Sequence, residues 1–235
     1  MQLKNNIKIV GKTLFHTTSK TLILSDLHIG EELSQQKKGV LIPRNSFKEL
    51  QKETKHLLEN LRPLRVVLNG DIKHEYKTLS KQEIVQITSY LAFLKKQADL
   101  ILIEGNHDIV LKELLSEYKF YEEYLLDGVL ILHGHKMPSK DLLSKATTIV
   151  IGHQHPAMSL KLDQRVEKYK CFLKGKYEGL DLIVMPSMNN LNEGYDLQSA
   201  KSLSPILPNK FDDFEIFIVD DLVYYFGLIK NLKKI

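Results

Sequence analysis

Short, unbroken apolar runs recur through the chain, and amphipathic stretches separate them. Residues 21–24, 65–68, 100–103, 129–132 and 148–151 are each rich in Leu, Ile and Val. They read as strands buried on both faces, because such a strand has no polar side to present to water. Asn45 is placed to cap a helix that carries Phe47, Leu50, Leu57, Leu58 and Leu61 at helical spacing, and Pro63 follows its end. Ser80 and Glu83 form a capping-box pattern ahead of Ile84, Ile87, Leu91 and Leu94. A third helix is expected around Leu111, Leu114 and Leu115. Residues 30–38 are polar and read as a short helix, and 39–43 as a loop. Near the start, residues 7–10 and 13–15 read as short strands around Gly11-Lys12.

Beyond Pro156 the helical pattern stops. Residues 169–173, 182–185, 215–219 and 223–228 read as strands joined by turns. Residues 189–209 contain Asn189-Asn190, Gly194, Pro205 and Pro208 and read as a long surface loop. Alternating strands and helices followed by a strand-rich half predict an α/β protein. The second half would supply a sheet packed on the first, with helices outside both. No repeat, low-complexity tract or linker interrupts the chain, so residues 1–235 are expected to form one domain.

Composition narrows the function classes only a little. The 235 residues are 43% hydrophobic and 26% charged, ordinary for a globular protein. The formal net charge of +4 is spread along the chain without a Lys/Arg block. That permits a phosphate-bearing substrate and does not by itself argue for nucleic-acid binding. The single cysteine, Cys171, excludes an internal disulfide and reads as a small core residue. No signal-like apolar region opens the sequence and no stretch is as long as a membrane span. A cytoplasmic protein without membrane contact is expected.

The chemistry sits where the apolar runs end. The first delivers Asp26 and His28, and the second delivers Asp71. The third delivers Asn106, His107 and Asp108, the fourth His133 and His135, and the fifth His153 and His155. Taken singly, each group has an ordinary reading: Gly70-Asp71 is a common turn pair, and Asn106 or Asp108 is a helix cap. Five such groups at equivalent positions are far harder to explain by chance. Seven of the nine histidines fall in these groups or, for His74, just after one. Ligands in open α/β sheets bind beyond the carboxyl ends of the strands, so neighbouring strands would bring all five groups to one rim. A mixed oxygen and nitrogen set of this kind suits Mn²⁺, Fe or Zn²⁺ and disfavours Ca²⁺.

In order, Asp26-x-His28, Gly70-Asp71, Gly105-Asn106-His107-Asp108, His133-Gly134 and Gly152-His153-x-His155 resemble the calcineurin-like metallophosphoesterases. Within that superfamily the chain looks most like the archaeal SbcD-like phosphoesterases, which are related to repair nucleases. The segment 69–75 (Asn-Gly-Asp-Ile-Lys-His-Glu), His155-Pro156, Met185-Pro186-Ser187 and Gly194-Tyr195-Asp196 carry that closer likeness.

The resemblance implies a two-sheet αββα sandwich and a binuclear metal centre, with Mn²⁺ favoured. By position, Asp26, His28 and His155 would hold one ion, Asn106, His133 and His153 the other, and Asp71 would bridge them. Ions in such sites lie about 3.5–4 Å apart and share a water whose pKa they lower. The hydroxide so formed would attack phosphorus in line with the leaving oxygen. His107 matches the family's catalytic histidine, with Asp108 placed to orient it. His74 and His135 are further imidazoles, expected to face the substrate or support the ligands.

The implied activity is hydrolysis of a phosphate diester in a nucleotide or nucleic acid. Phosphomonoester hydrolysis and a non-catalytic metal-binding scaffold are the alternatives, and complete ligand positions argue against the scaffold. Repair nucleases of the superfamily carry a further DNA-recognition domain, and this chain ends at Ile235, which argues against processive duplex cleavage and leaves nucleotides or single strands. The lysines of segment 168–176 are read as a solvated hairpin in preference to a nucleic-acid contact.

Overall fold

The structure, a computed structural model, describes residues 1–4, 6–43, 45–162, 165–197 and 201–232. Two mixed sheets stack face to face. The first contains β1 (Gln2–Lys4), β2 (Ile7–Val10), β3 (Thr13–His16), β4 (Thr21–Ser25), β5 (Arg65–Asn69), β6 (Asp99–Ile103) and β7 (Phe120–Tyr121), adjacent in that order. From β4 to β7 the strands run parallel. The helices α1 (Glu31–Lys37), α2 (Ser46–Leu61), α3 (Lys81–Lys95) and α4 (Ile109–Leu114) lie between them in sequence.

The second sheet is built from β8 (Glu123–Leu126), β9 (Val129–Leu132), β10 (Thr148–Ile151), β11 (Pro156–Leu162), β12 (Arg165–Tyr177), β13 (Leu180–Val184) and β14 (Tyr195–Asp196). Their spatial order is β14-β11-β12-β13-β10-β9-β8. The strands β15 (Glu215–Val219) and β16 (Val223–Leu228) branch from β12.

Side-chain alternation along the strands divides the apolar residues into three layers. Leu22 and Leu24 of β4, Val66 and Leu68 of β5, and Leu102 of β6 face α2 and α3, where they meet Leu57, Ile87, Leu91 and Leu94. Their neighbours Ile23, Val67 and Ile103 point the other way. They pack against Val129, Ile131, Val150, Phe172 and Ile183 of the second sheet. Full burial of each such side chain stabilises the fold by roughly 1.5–3 kcal/mol. The outer face of the second sheet carries Leu130, Ile149, Ile151, Leu182 and Val184. It is covered by Leu142 and Leu143 of the short helix α5 (Lys140–Leu143), by Ile206, Leu207, Phe211 and Phe214, and by Ile229 of α6 (Ile229–Leu232). This is the αββα arrangement, with an outer layer on the second sheet made of two single-turn helices and coil.

Several sequence expectations need correction. The five strands that carry site residues do not share one sheet: β4, β5 and β6 lie in the first, β9 and β10 in the second. Residues 156–162 form β11, and β12 extends well beyond 169–173 on both sides. Their polar outer halves hid them, because the hairpin projects past the core. Helices do not stop at Pro156, since α6 follows. Within 189–209, Asn189, Leu197, Ser204, Ile206 and Leu207 are buried, so the segment is part of the packing. Residues 198–200 of it lie outside the described residues. Asn45 precedes α2 without a side-chain capping bond; Glu32 accepts from the Ser46 amide instead, at 2.9 Å. The capping box of α3 is present, with Ser80 and Glu83 bonded reciprocally. No helix among the described residues is long and apolar enough to cross a membrane.

Candidate metal centre

Strand register brings the site groups to a common level. Ser25 pairs with Asn69, and Asn69 with Ile103, so β4, β5 and β6 end together. In the second sheet the Gly152 amide donates to the His133 carbonyl at 3.0 Å, which aligns the ends of β9 and β10. The two rims meet: the His153 amide lies 3.2 Å from both carboxylate oxygens of Asp26. Past the first sheet, the loops at 26–29 and 70–74 continue side by side, with His28 N donating to Asp71 O at 2.9 Å and His74 N to Ile29 O at 3.0 Å.

The backbone is unusual here. Asp26, His28, Asp71, His153 and His155 all have positive φ, between 44° and 62°. Such conformations cost roughly 1–3 kcal/mol for a side-chain-bearing residue. The other non-glycine cases among the described residues, Lys20, Arg62, Asp127 and Glu178, lie outside the five groups. Gly152 and Gly105 are required by close approach. A Cβ on Gly152 would collide with Ser25 Oγ and the Asp26 carboxylate, and one on Gly105 would collide with Asp71.

The side chains converge in two groups around the aspartates. His155 Nε2 is 3.0 Å from Asp26 Oδ1 and 3.3 Å from His28 Nε2. His133 Nε2 is 3.3 Å from Asp71 Oδ2 and 3.1 Å from Asn106 Oδ1. His28 Nε2 reaches Asp71 Oδ2 at 3.7 Å and so links the groups. One ligand atom each from Asp26, His28 and His155 lies within 4.8 Å of the others, and the same holds for Asp71, His133 and His153. A third set, His28, Asp71 and His107, meets the same criterion, so His107 is also within reach of a metal.

Protonation states suit a cation. Burial works against both aspartates, yet His155 and His133 hold Asp26 down to about 2. Asp71 is also held well below the usual carboxylate range, chiefly by His133, against the effect of burial. Burial and neighbouring imidazoles keep His28 neutral, and burial and His133 push His153 down to about 4. Burial opposes the charge on His133, but Asp71 and Asp26 outweigh it and lift the group to about 9; a bound cation would displace that proton. His133 Nδ1 lies 3.2 Å from the Asn69 carbonyl, which leaves Nε2 to face the centre. His28 Nδ1 is buried with no partner among the described residues. Ionised carboxylates, imidazole nitrogens and an amide oxygen around one space fit a pair of divalent ions.

The remaining candidates differ from expectation. Asp108 does not orient His107. Its buried carboxylate accepts from the amides of Ile72 at 2.9 Å, Lys73 at 3.3 Å and Gly105 at 3.0 Å. It therefore ties the Asp71 loop to the Asn106 loop. His107 is oriented by the His74 carbonyl, which bonds its Nδ1, and by the ring of Tyr76. The His74 imidazole has its Nδ1 3.9 Å from Glu31 Oε2. His135 stands beside His133 and His153, at ring separations of 5.3 and 6.1 Å. Burial and His133 push it down to about 4. His16, outside the five groups, is a buried structural histidine between Asn6 and Ser19.

Sequence reasoning assigned no role to the polar residues behind the ligands. Ser187 Oγ donates to the Asp26 carbonyl at 2.7 Å, and Asn189 Nδ2 to the His28 carbonyl at 3.1 Å. Asn192 Nδ2 lies 3.0 Å from His155 Nδ1. The Met185-Pro186-Ser187 segment was the available signal for the first of these. The lysines of β12 hold protein partners: Lys168 pairs with Glu193, Lys174 with Glu215 and Lys176 with Asp181, while Lys170 donates to the Ser187 carbonyl at 2.7 Å. Lys168 and Lys176 are exposed, but Cys171, Phe172 and Leu173 between them are fully buried, so the solvated-hairpin reading fails for the middle of the segment.

The solved Pseudomonas putida nuclease MPE is 15% identical over 92% of each chain, with a TM-score of 0.66, and shares the fold. A phosphoesterase from E. coli, Yfce, is 12% identical over 86% of this chain and 88% of its own, with a TM-score of 0.39. Vacuolar Protein Sorting 29 from Cryptosporidium parvum is 16% identical over 88% and 97%, also at 0.39. No curated protein matches the chain. The sequence profile of the calcineurin-like phosphoesterases matches residues 19–210. With most of its length inside that profile and the ligand-type side chains of both sheets gathered at one rim, the chain belongs to the calcineurin-like phosphoesterase family.

Proposed function

We propose that the protein is a two-metal phosphodiesterase acting on nucleotide or single-stranded nucleic-acid esters. The observation that carries this reading is the convergence of two aspartates, four histidines and Asn106 from two sheets, in two groups linked through Asp71 and His28. The nuclease of the same fold supports a nucleic-acid substrate.

Asp26, His28 and His155 would hold the first ion, Asn106, His133 and His153 the second, and Asp71 both. Bound ions would supply an acidified water and neutralise charge on the phosphoryl group, and Mn²⁺ suits this donor set. The chain's own residues do the rest. Asp71 keeps its carboxylate ionised between the groups. Asp108 fixes the two loops that carry Asp71 and Asn106. His107 presents Nε2 while its Nδ1–H donates to the His74 carbonyl, so the ring, once protonated at Nε2 as well beside the Asp71 carboxylate, would give that proton to a departing alkoxide. His74 and His135 flank the centre as neutral imidazoles able to meet substrate oxygens.

The test is hydrolysis of bis(p-nitrophenyl) phosphate with Mn²⁺, before and after chelation, beside the monoester, cyclic nucleotides, single strands and duplexes. Metal-dependent cleavage of diesters and single strands over the monoester is expected. Preference for the monoester would overturn the diesterase reading. We also read residues 1–235 as one cytoplasmic folding unit, because both halves contribute to the layer between the sheets. Release of a stable fragment starting after residue 156 in a limited digest would contradict this.

A further inference from the structure

Tyr76 belongs to none of the five strand-end groups, yet it touches two of their members. Its hydroxyl accepts a hydrogen bond from Asn106 Nδ2 at 2.8 Å. Its ring stacks on the His107 imidazole, with centroids 3.6 Å apart and planes inclined by 30°. The backbone at this point is fixed from below. The buried Lys73 Nζ donates to the Tyr76 carbonyl at 3.3 Å and to the Thr78 carbonyl at 3.4 Å.

An asparagine amide has one end that can hold a cation and one that cannot. The oxygen carries lone pairs, whereas the NH₂ group offers only hydrogens. Rotation by half a turn about the last side-chain bond exchanges them, at little cost in steric terms. An acceptor on the outer side decides which end faces inward. The Tyr76 hydroxyl takes the NH₂ group, and Asn106 Oδ1 then points at His133 Nε2, 3.1 Å away, in the second ligand group. The same ring limits the swing of His107, whose other restraint is the His74 carbonyl.

We infer that Tyr76 is a positioning residue for both halves of the chemistry. Its hydroxyl sets the Asn106 amide with oxygen toward the second ion, and its ring holds the His107 plane. The inference rests on the two-ion reading given above. It separates the hydroxyl from the ring, and so do two substitutions. Tyr76→Phe removes the hydroxyl and keeps the stack; Tyr76→Ala removes both. With 54% of the residue exposed, neither change opens a core cavity, and thermal stability should stay close to that of the parent.

The experiment is calorimetric titration of Mn²⁺ into the metal-stripped full chain, followed by kinetics at saturating Mn²⁺. The parent should show two binding events. Tyr76→Phe should leave the tighter one unchanged and weaken the other by about 10- to 100-fold, the usual loss for a residue that orients a ligand. At saturating Mn²⁺ its kcat should remain near the parent's. Tyr76→Ala should weaken the same event and also lower kcat, and phenylalanine should restore that second loss. A parent that takes up fewer than two Mn²⁺ overturns the two-ion reading and this inference with it. Two events in the parent and unchanged affinities in Tyr76→Phe overturn this inference alone. Unchanged affinities with a higher KM confined to base-bearing esters also overturn it, and make Tyr76 a stacking surface for substrate.

Discussion

The two candidate ligand groups are unlike in their surroundings. Asp26, His28 and His155 are buried at 0%, 3% and 6% exposure and are backed by the 187–192 segment through Ser187, Asn189 and Asn192. The other group combines buried Asp71 and His133 with half-buried Asn106 and His153. Its outer side is formed by the exposed Tyr76 and by His107. A ligand set enclosed by bonded polar groups loses little freedom when an ion binds, and it releases the ion slowly. An open set exchanges faster and faces substrate. On the proposed two-ion reading, the two positions would divide the work: the enclosed group would anchor, and the open group would meet the reacting ester.

Removing the link between the groups should have the largest effect. Asp71→Asn deletes the negative charge that both share. Activity should fall by roughly 10²–10³-fold, a loss on the scale of a missing charge-stabilising group, and metal content should drop for both positions. Retention of both ions and most activity, by elemental analysis and a diester assay, would show that Asp71 is not the bridge.

His107→Ala probes the open side without touching a proposed ligand. Metal content should persist. Rates on esters with a ribose-type leaving group should fall roughly 10²–10⁴-fold, the range for a lost general acid. Nitrophenyl esters, which leave without help, should suffer less. Loss of an ion together with equal losses on both esters would instead make His107 a ligand, as its place near His28 and Asp71 allows.

Asn106→Ala sharpens the contrast directly. About one equivalent of metal should be lost from the open position and the other retained, since Asp26, His28 and His155 are untouched. Outer-position losses of 10- to 100-fold in affinity are typical for supporting residues, and a direct ligand should cost at least that much. Equal weakening of both ions would erase the distinction between the groups.

The smallest expected effect concerns the backing of the enclosed group. Lys170 bonds the carbonyls of Ser187 and Asn189, and burial together with nearby Lys12 pushes it down to about 7. The unfolded chain holds that proton to about pH 10.4. Between about pH 7 and pH 10 the unfolded state therefore binds more protons, and this group's contribution makes stability rise with pH. Lys170→Met should remove that rise. Urea unfolding of both proteins at pH 6, 7, 8 and 9 measures it; a stability difference independent of pH would show that Lys170 stays charged when buried.

Much of this molecule was legible before any coordinates. The apolar runs became β4, β5, β6, β9 and β10, since a strand covered on both faces must be apolar throughout. The helix α3 began at its capping box because Ser80 and Glu83 satisfy amides that nothing else reaches. The ligand-type residues were visible for a similar reason: buried carboxylates and imidazoles at strand ends are too costly to keep without a partner. Pattern gave no information on which sheet each strand joined. Alternation is local, and the same apolar run suits either sheet, so the division of the site between two rims came only from pairing. Asp108 looked like a partner for His107 because it is adjacent in sequence. In space its carboxylate lies on the amides of Ile72, Lys73 and Gly105. Tyr76, Ser187, Asn189 and Asn192 reach the site through side-chain contacts with residues distant in sequence, and such contacts leave no periodic trace. The sequence alone offered the ligand-type residues at the strand ends. Tertiary structure decided how they divide into an enclosed group and an open one, because burial and orientation are properties of what packs behind a side chain.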